Sequence, residues 1–523
     1  MVQFITAQEA AQLVKDGDTL ASPSFGLSNL PEAIMNALKE RYDEEKHPAG
    51  ISYIHGPGIG NNTPGRGLDY FVADGMAKRI YSGHMANSPL MNEKVIDNQI
   101  ECYLLPQGVV THLYRAIASH KPGVITKVGL NTYVDPRVEG AAANPMTDKE
   151  GYVKLLKDDQ EEEWLLYPSF PINVAMIRGT YADERGNISW EQEVAKFEDL
   201  SIAQAAKNSG GIVIAQVKGK VKSGSMDPKT VKVPGAFVDY VVVVEDNTLH
   251  QQTSSTEYNP AFSNEIQVPE SDSQPLPLTA RKIIQRRAAM ELVPNSVGNL
   301  GIGVPVGVSD VAAEEGVSDD LTLTVEAGII GGNALGGLNF GVSTNAQAII
   351  AHGEMFDFYD GGGLDLTVLG LAECDQYGNI NVSKFGGRVT GPGGFINLTS
   401  GTKNVVFAGT FTAGGKSEIK DGKLHITKQG KAKKFVADVE QITFSGKQAE
   451  INGQNILYIT ERAVFDLHDG QLRLREVAPG VDIETDILEW MDFKPLIPDD
   501  VKEMNPDIFQ EEWGGLKEII NNK

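Results

Sequence analysis

A carboxylate that ends a strand and is followed at once by glycines is a candidate nucleophile. Leu321-Thr-Leu-Thr-Val-Glu326-Ala-Gly-Ile-Ile-Gly-Gly332 has that form. Its alternation predicts a strand over Leu321–Val325, and in open α/β sheets ligands bind beyond the carboxyl ends of strands. The glycines permit close approach of a ligand to the backbone. A glutamate, with an ordinary pKa of about 4.3, is ionised near neutral pH. It can therefore attack without the neighbouring base that Ser or Cys needs. The same pattern also suits a glutamate that merely solvates a strand end. Two small-residue loops could supply further chemistry: Asn299-Leu-Gly301-Ile-Gly303-Val-Pro305 and Thr390-Gly-Pro-Gly393-Gly394-Phe-Ile-Asn397. Such loops can aim several N–H groups at a phosphate or a developing oxyanion, although each is equally a simple turn. Gly56-Pro-Gly58-Ile-Gly60 lacks the G-x-G-x-x-G spacing, and no G-x-x-x-x-G-K-[ST] occurs.

Other chemistries find no support in the spacing. His352 and Glu354 do not form H-E-x-x-H, the nine histidines have no metal-ligand pattern, and there is no G-x-S-x-G elbow. No metal site is expected. Cys102 and Cys374 are isolated, which argues against a disulfide framework and favours a reducing, cytoplasmic setting. No run approaches a membrane span, and the first residues do not read as a secretion signal. The net charge of −24 repels nucleic acid and anionic membranes, so neither is expected as a partner. An anionic ligand would have to be held by backbone N–H groups and local cations. Arg281, Lys282, Arg286 and Arg287 form one cationic cluster, which reads first as a solvated helix face.

The elements that must position these residues alternate along 523 residues, a length that predicts two domains. Strands are expected at Ile172–Ile177, Gly211–Val217, Asp239–Val244, Leu321–Val325, Leu366–Gly370 and Asn404–Ala408, with helical patterns such as Leu30–Leu38 and Ile202–Lys207 between them. Unbroken apolar runs suit strands buried on both faces, so the fold class is α/β with largely parallel sheets. The chain also echoes itself. Asp183-Glu-Arg-Gly186-Asn187-Ile188 and Asp375-Gln-Tyr-Gly378-Asn379-Ile380 share a D-x-x-G-N-I turn followed by a strand. LVKDGDTLASPSFG near the start likewise resembles LVPNSVGNLGIGVP at Leu292–Pro305. Two ordered echoes predict a duplicated α/β unit. A stretch rich in Ser, Pro and Gln suits an exposed linker at 249–279, separating domains at 1–248 and 280–523.

Six motifs in this order, SPSFGLSNLPEAI, LLPQGVV, NLGIGVP, LTVEAGIIGG, GPGGFINL and YITERAVFDL, resemble the family I CoA-transferases. The likeness is strongest to bacterial acetate and propionate members that fuse both subunit types in one chain. It implies a pair of related open α/β domains, an α-type and a β-type, the second carrying the catalytic glutamate. Glu326 stands at the family's nucleophile, in an E-A-G turn. Gln107 matches the P-Q-G glutamine that helps hold the oxyanion. Gly393 and Gly394 match the second oxyanion loop, and Gly301 and Gly303 match a loop that contacts CoA. The family's G-G-F-G loop is replaced here by Pro23-Ser24-Phe25-Gly26, so no CoA-binding role passes to Ser24.

The resemblance implies ping-pong transfer of CoA between short carboxylic acids through a glutamyl-CoA thioester. Acyl-CoA and acids of the acetate, propionate, butyrate or lactate class are then the partners. CoA is a substrate, not a permanently bound cofactor. The family also implies a homodimer or homotetramer. Two rival readings share parts of this pattern: an acyl-CoA hydrolase using the same site, and a non-catalytic ligand-binding module of related α/β fold.

Overall fold

A computed structural model describes residues 2–269 and 275–523; residues 270–274 of the expected linker lie outside them. The chain forms two compact units. The first takes the chain as far as Val268, together with Val325–Asp357 and Gly387–Asn397. The second comprises Pro269–Thr324, Phe358–Gly386 and Leu398–Lys523.

The sheet of the first unit follows the spatial order Gln3–Ile5, Tyr240–Val243, Ile212–Val221, Val174–Asp183, Thr19–Ala21, Ile51–His55, Ala77–Ser82, Glu101–Leu104. Every neighbouring pair on this path is parallel. Ala175, Met176, Ile177, Val213, Ile214 and Ala215 are wholly buried, as central strands covered on both faces require. Helices Glu32–Glu45, Gln107–Ala118 and Asp199–Asn208 lie along the crossovers. Strand order reverses between Thr19–Ala21 and Val174–Asp183. That topological switch point is where an open sheet offers a crevice. Here side chains fill it. The buried Arg178 guanidinium pairs with Glu193 at 3.2 Å and donates to the carbonyls of Leu27, Leu30 and His250.

The second unit holds the order Leu321–Val325, Ser296–Leu300, Leu366–Leu369, Asn404–Ala408, Asn455–Ile459, Ala463–His468, Gln471–Val477, Lys502–Glu503. The first five strands are parallel, the next two join as antiparallel hairpins, and Lys502–Glu503 pairs parallel at the edge. The order reverses between Ser296–Leu300 and Leu366–Leu369. Each member of the second sequence echo therefore ends in a small-residue loop at its own unit's switch point. The first echo is equally concrete. Asp183 Oδ1 accepts from the N–H groups of Arg185 and Asn187, and Asp375 Oδ1 from those of Tyr377 and Asn379. Gly186 and Gly378 take positive φ, +83° and +72°. Asn187 and Asn379 then accept from Gly235 N and Gly446 N at 2.9 and 3.0 Å. The fold is α/β, built from two related open units with largely parallel sheets.

Two expectations need correction. The cationic cluster is not a solvated face: Lys282, Arg286 and Arg287 are buried in helix Ala280–Ala289, and only Arg281 is exposed. Arg287 forks onto Glu476, Lys282 pairs with Glu314, and Arg286 caps the carbonyls of Ile508, Gln510 and Glu511. Ion pairing and carbonyl capping compensate desolvation, so these cations tie the second unit together. The polar stretch beginning at 249 is also partly internal. His250, Gln252, Thr253 and Phe262 are buried, with the Gln252 side chain bonded to Gln192 O and Asn259 N.

Candidate active site

Glu326 follows the strand Leu321–Val325, and the turn closes through Gly328 N–H to Val325 O at 3.0 Å. Its 9% exposure rules out the solvated strand-end alternative. Val325 and Ala327, its chain neighbours, belong to an apolar cluster with Phe197, Ile329 and Val342, against which Phe25 packs. The carboxylate is thus delivered through an apolar wall.

The loop before helix Phe395–Gly401 lies directly against it. A methyl group added at Gly394 would stand 3.2 Å from Glu326 Cγ and 3.4 Å from Phe356 Cζ. Gly393 is pinned on both sides: its N–H donates to Gly83 O at 2.8 Å, and its carbonyl accepts from Gln107 N at 2.9 Å. Gln107 opens helix Gln107–Ala118 just beyond the strand Glu101–Leu104, and its side chain is buried. The next residue, Gly108, donates to Asn397 Oδ1 at 3.0 Å. Residues distant in sequence (107, 326 and 393–394) therefore meet in the first unit, around one carboxylate.

Two side chains that spacing did not single out complete this arrangement. Gln107 Nε2 lies 2.8 Å from His352 Nε2, and His352 Nδ1 bonds to Glu198 Oε1. Both partners are buried. Nearby, burial pushes the His55 imidazole down to about 4, an effect that the Pro57 carbonyl partly offsets. Burial also holds His84 at about 4. Both are neutral at physiological pH, so the carboxylates here are not facing imidazolium charge from those rings.

A family model described as coenzyme A transferase matches residues 4–244. A caffeate CoA-transferase of Acetobacterium woodii is 48% identical over 99% of this chain and 100% of its own length. The chain belongs to the coenzyme A transferase family. The acetate CoA-transferase YdiF of Escherichia coli (strain K12) is 42% identical, covering 97% of the transferase and 95% of itself. An acyl-CoA transferase of Escherichia coli O157:H7 (YdiF), solved as a thioester complex with CoA, superposes with a TM-score of 0.91 at 39% identity. That alignment covers 98% of the transferase and 97% of the solved chain. The enzyme is accordingly a CoA-transferase, as its motifs imply.

The remaining expected site residues, Gly301 and Gly303, lie in the second unit, in the loop after Ser296–Leu300. Gly301 N–H donates to Val368 O at 2.8 Å, across the switch point. Gly303 lines a cavity of about 250 Å³ with Thr279, Arg281, Gln285 and Asp310, and no atom lies within 4 Å of where its Cβ would be. Ser24, in the matching loop of the first unit, is wholly buried. Among the described residues of the transferase no helix is long and apolar enough to cross a membrane.

Glu198 and His352 were missed because neither carries a local pattern. They are 154 residues apart, and in the sequence His352 stands out only beside Glu354, without the H-E-x-x-H spacing. The one available signal was its place in IIAHGEMF, where an apolar run meets the start of a helix.

Proposed function

We propose that Glu326 is the covalent nucleophile of CoA transfer between acids of the acetate, propionate, butyrate or lactate class. The observation that supports this most directly is the packing of the buried Glu326 against Gly394, beside a Gln107 whose backbone is tied to Gly393. The carboxylate attacks the acyl-CoA thioester carbonyl, the C–S bond breaks, and an acyl-glutamyl anhydride and CoA thiolate result. The thiolate attacks the glutamyl carbonyl, expels the free acid and leaves a glutamyl-CoA thioester. An acceptor carboxylate then runs both steps in reverse. One thioester replaces another, with no net redox change and no proton consumed.

Both tetrahedral states put negative charge on oxygen. The Gln107 amide and the Gly394 N–H are the donors, and Gly393, its own N–H and carbonyl already taken, anchors the loop. One such donor is typically worth about 10²–10³ in rate. Gly301 and Gly303 admit CoA closely to the backbone of the second unit, with Arg281 available to its phosphates. The two free cysteines are buried and their thiols are pushed up by burial, which fits a cytoplasmic enzyme; its working form is a homodimer or homotetramer.

A second acid class has its own support. Phe25 and Phe340 are half-buried rings 5.5 Å apart, and Phe25 joins the apolar cluster flanking Glu326. Together with the caffeate-specific name of one relative, this favours aromatic acids as acceptors. Comparing kcat/KM for propionate and caffeate decides between the two.

The test of the nucleophile is mass spectrometry after incubation with acetyl-CoA. The Glu326 peptide is expected to gain CoA less one water. Glu326→Gln is expected to abolish transfer with an unchanged melting temperature. Product accumulating while that peptide stays unmodified overturns the mechanism. Release of CoA without any acceptor acid would indicate a hydrolase instead.

A further inference from the structure

We infer that Glu198 and His352 are positioning residues that fix which end of the Gln107 amide faces the reacting carbonyl; this rests on the reading of Gln107 as an oxyanion donor. An ionised carboxylate can only accept, so Glu198 Oε1 requires a proton on His352 Nδ1. Gln107 Nε2 stands 2.8 Å from ring Nε2 and an amide NH₂ can only donate, so ring Nε2 is the acceptor and the ring proton lies on Nδ1, toward Glu198. A proton on both ring nitrogens would instead call for the carbonyl end of Gln107 at that position, which is not the end found there. One N–H of that amide is used on His352, and the other stays available for an oxyanion.

Reversed, with Oε1 toward the ring, the amide would have its NH₂ group turned elsewhere. Two neutral amide orientations differ little in shape, so packing alone discriminates weakly between them. The acceptor at Nε2 discriminates strongly, because carbonyl facing lone pair is repulsive and leaves buried groups unbonded.

The ring itself is well held. His352 is wholly buried, its backbone N–H donates to Lys196 O at 2.9 Å, and Phe197 meets it edge-on at 5.8 Å with Phe356 at 5.3 Å on another side. Both ring nitrogens are occupied, so His352 does not shuttle protons to substrate. Its action passes through Gln107. The same logic governs metal-bound histidines, where a carboxylate behind the ring fixes the tautomer that faces the metal.

A double-mutant cycle tests this. Gln107→Ala is expected to lower kcat by about 10²-fold. Glu198→Gln, which is isosteric and can donate to Nδ1 and so reverse the tautomer, is expected to lower kcat by about 10-fold or more in the parent enzyme. In the Gln107→Ala background it should change kcat by less than about 2-fold, because no amide remains to orient. KM for acyl-CoA should hold, since the donor acts in the transition state. Full multiplication of the two effects overturns the relay and leaves Gln107 in place. An unchanged kcat for Glu198→Gln alone does the same. An unchanged kcat for Gln107→Ala instead removes the oxyanion reading itself. Should Glu198→Gln fail to fold, His352→Gln and His352→Leu replace it. The glutamine can still accept from Gln107 and donate to Glu198, so it should retain at least about 10-fold more kcat than the leucine variant. Equal losses refute the proposal.

Discussion

Replacing Gly394 by alanine isolates the placement of the proposed nucleophile from its chemistry. The added methyl would lie 3.2 Å from Glu326 Cγ and 3.4 Å from Phe356 Cζ. Carbon atoms prefer about 3.5–4.0 Å, so Glu326 must retreat by roughly 0.3–0.8 Å. Phe356 is wholly buried and gives less readily than a glutamate side chain. A misplacement of about 1 Å can cost about 10²-fold in rate. If the logarithm of the rate falls in proportion to displacement, Gly394→Ala loses about 4- to 40-fold in kcat. Initial rates of CoA transfer from acetyl-CoA to propionate measure it, alongside the rate at which the Glu326 peptide acquires CoA. Both should fall together, with a melting temperature close to the parent's. A folded Gly394→Ala enzyme with parental kcat would refute the inference that this loop sets the carboxylate's position. Slower turnover with undiminished adduct formation would place the methyl's effect elsewhere.

Stability should fall with acid through His55. Its folded pKa of about 4 lies below the ordinary 6.5, so the unfolded chain binds the proton first. Its contribution is complete above about pH 6.5 and is lost as pH falls toward about 4, by up to about 1.4 kcal/mol per unit. Urea unfolding at pH 7.5, 6 and 5 should therefore show a shallower pH dependence for His55→Gln than for the parent; identical slopes contradict the assignment. In the repeated turn, Asn379→Ala strands the buried Gly446 N–H and should cost about 1–3 kcal/mol by calorimetry. Asn187→Ala should cost less, because Asn187 and Gly235 are only half-buried and water can replace the side chain; the opposite ranking defeats this.

The parts of the fold legible in the sequence are those that burial dictates. The strands Leu321–Val325 and Asn404–Ala408 have the expected limits: the first begins and ends on an apolar residue, and the second encloses the apolar run Val405–Ala408. Val174–Asp183 runs six residues past the expected Ile177, because its polar half is buried through pairing of Arg178 with Glu193. Helix Glu32–Glu45 likewise outlasts Leu38. Its last turns are carried by the pairs Lys39–Asp43 and Arg41–Glu45, which apolar periodicity does not register. The basic cluster misled for the same reason: its acceptors at 476, 508, 510 and 511 are invisible from residues 281–287. In the site, Glu326 and Gly394 could be named from motifs. Glu198 and His352 could not, since their pairing exists only once the chain is folded.

The two units also explain why a duplicated architecture yields an unequal pair of loops. Both place a short loop at the switch point of a parallel sheet, so each began with the same topological opportunity. In the first unit Arg178, Glu193 and the carbonyls of Leu27, Leu30 and His250 satisfy one another there, and Ser24 is wholly enclosed. A ligand entering would have to break that buried ion pair, which typically costs several kcal/mol. In the second unit Gly303 faces open space and borders a cavity. A backbone that must approach a large anionic ligand needs the second condition. In the first unit the proposed oxyanion donor lies instead beyond Glu101–Leu104 at the sheet's edge, where Gln107 begins a helix and its N–H donates to the Gly393 carbonyl. One crevice is closed by charge pairing, while the loop of the other borders a cavity, the condition that the proposed contact of Gly301 and Gly303 with CoA requires.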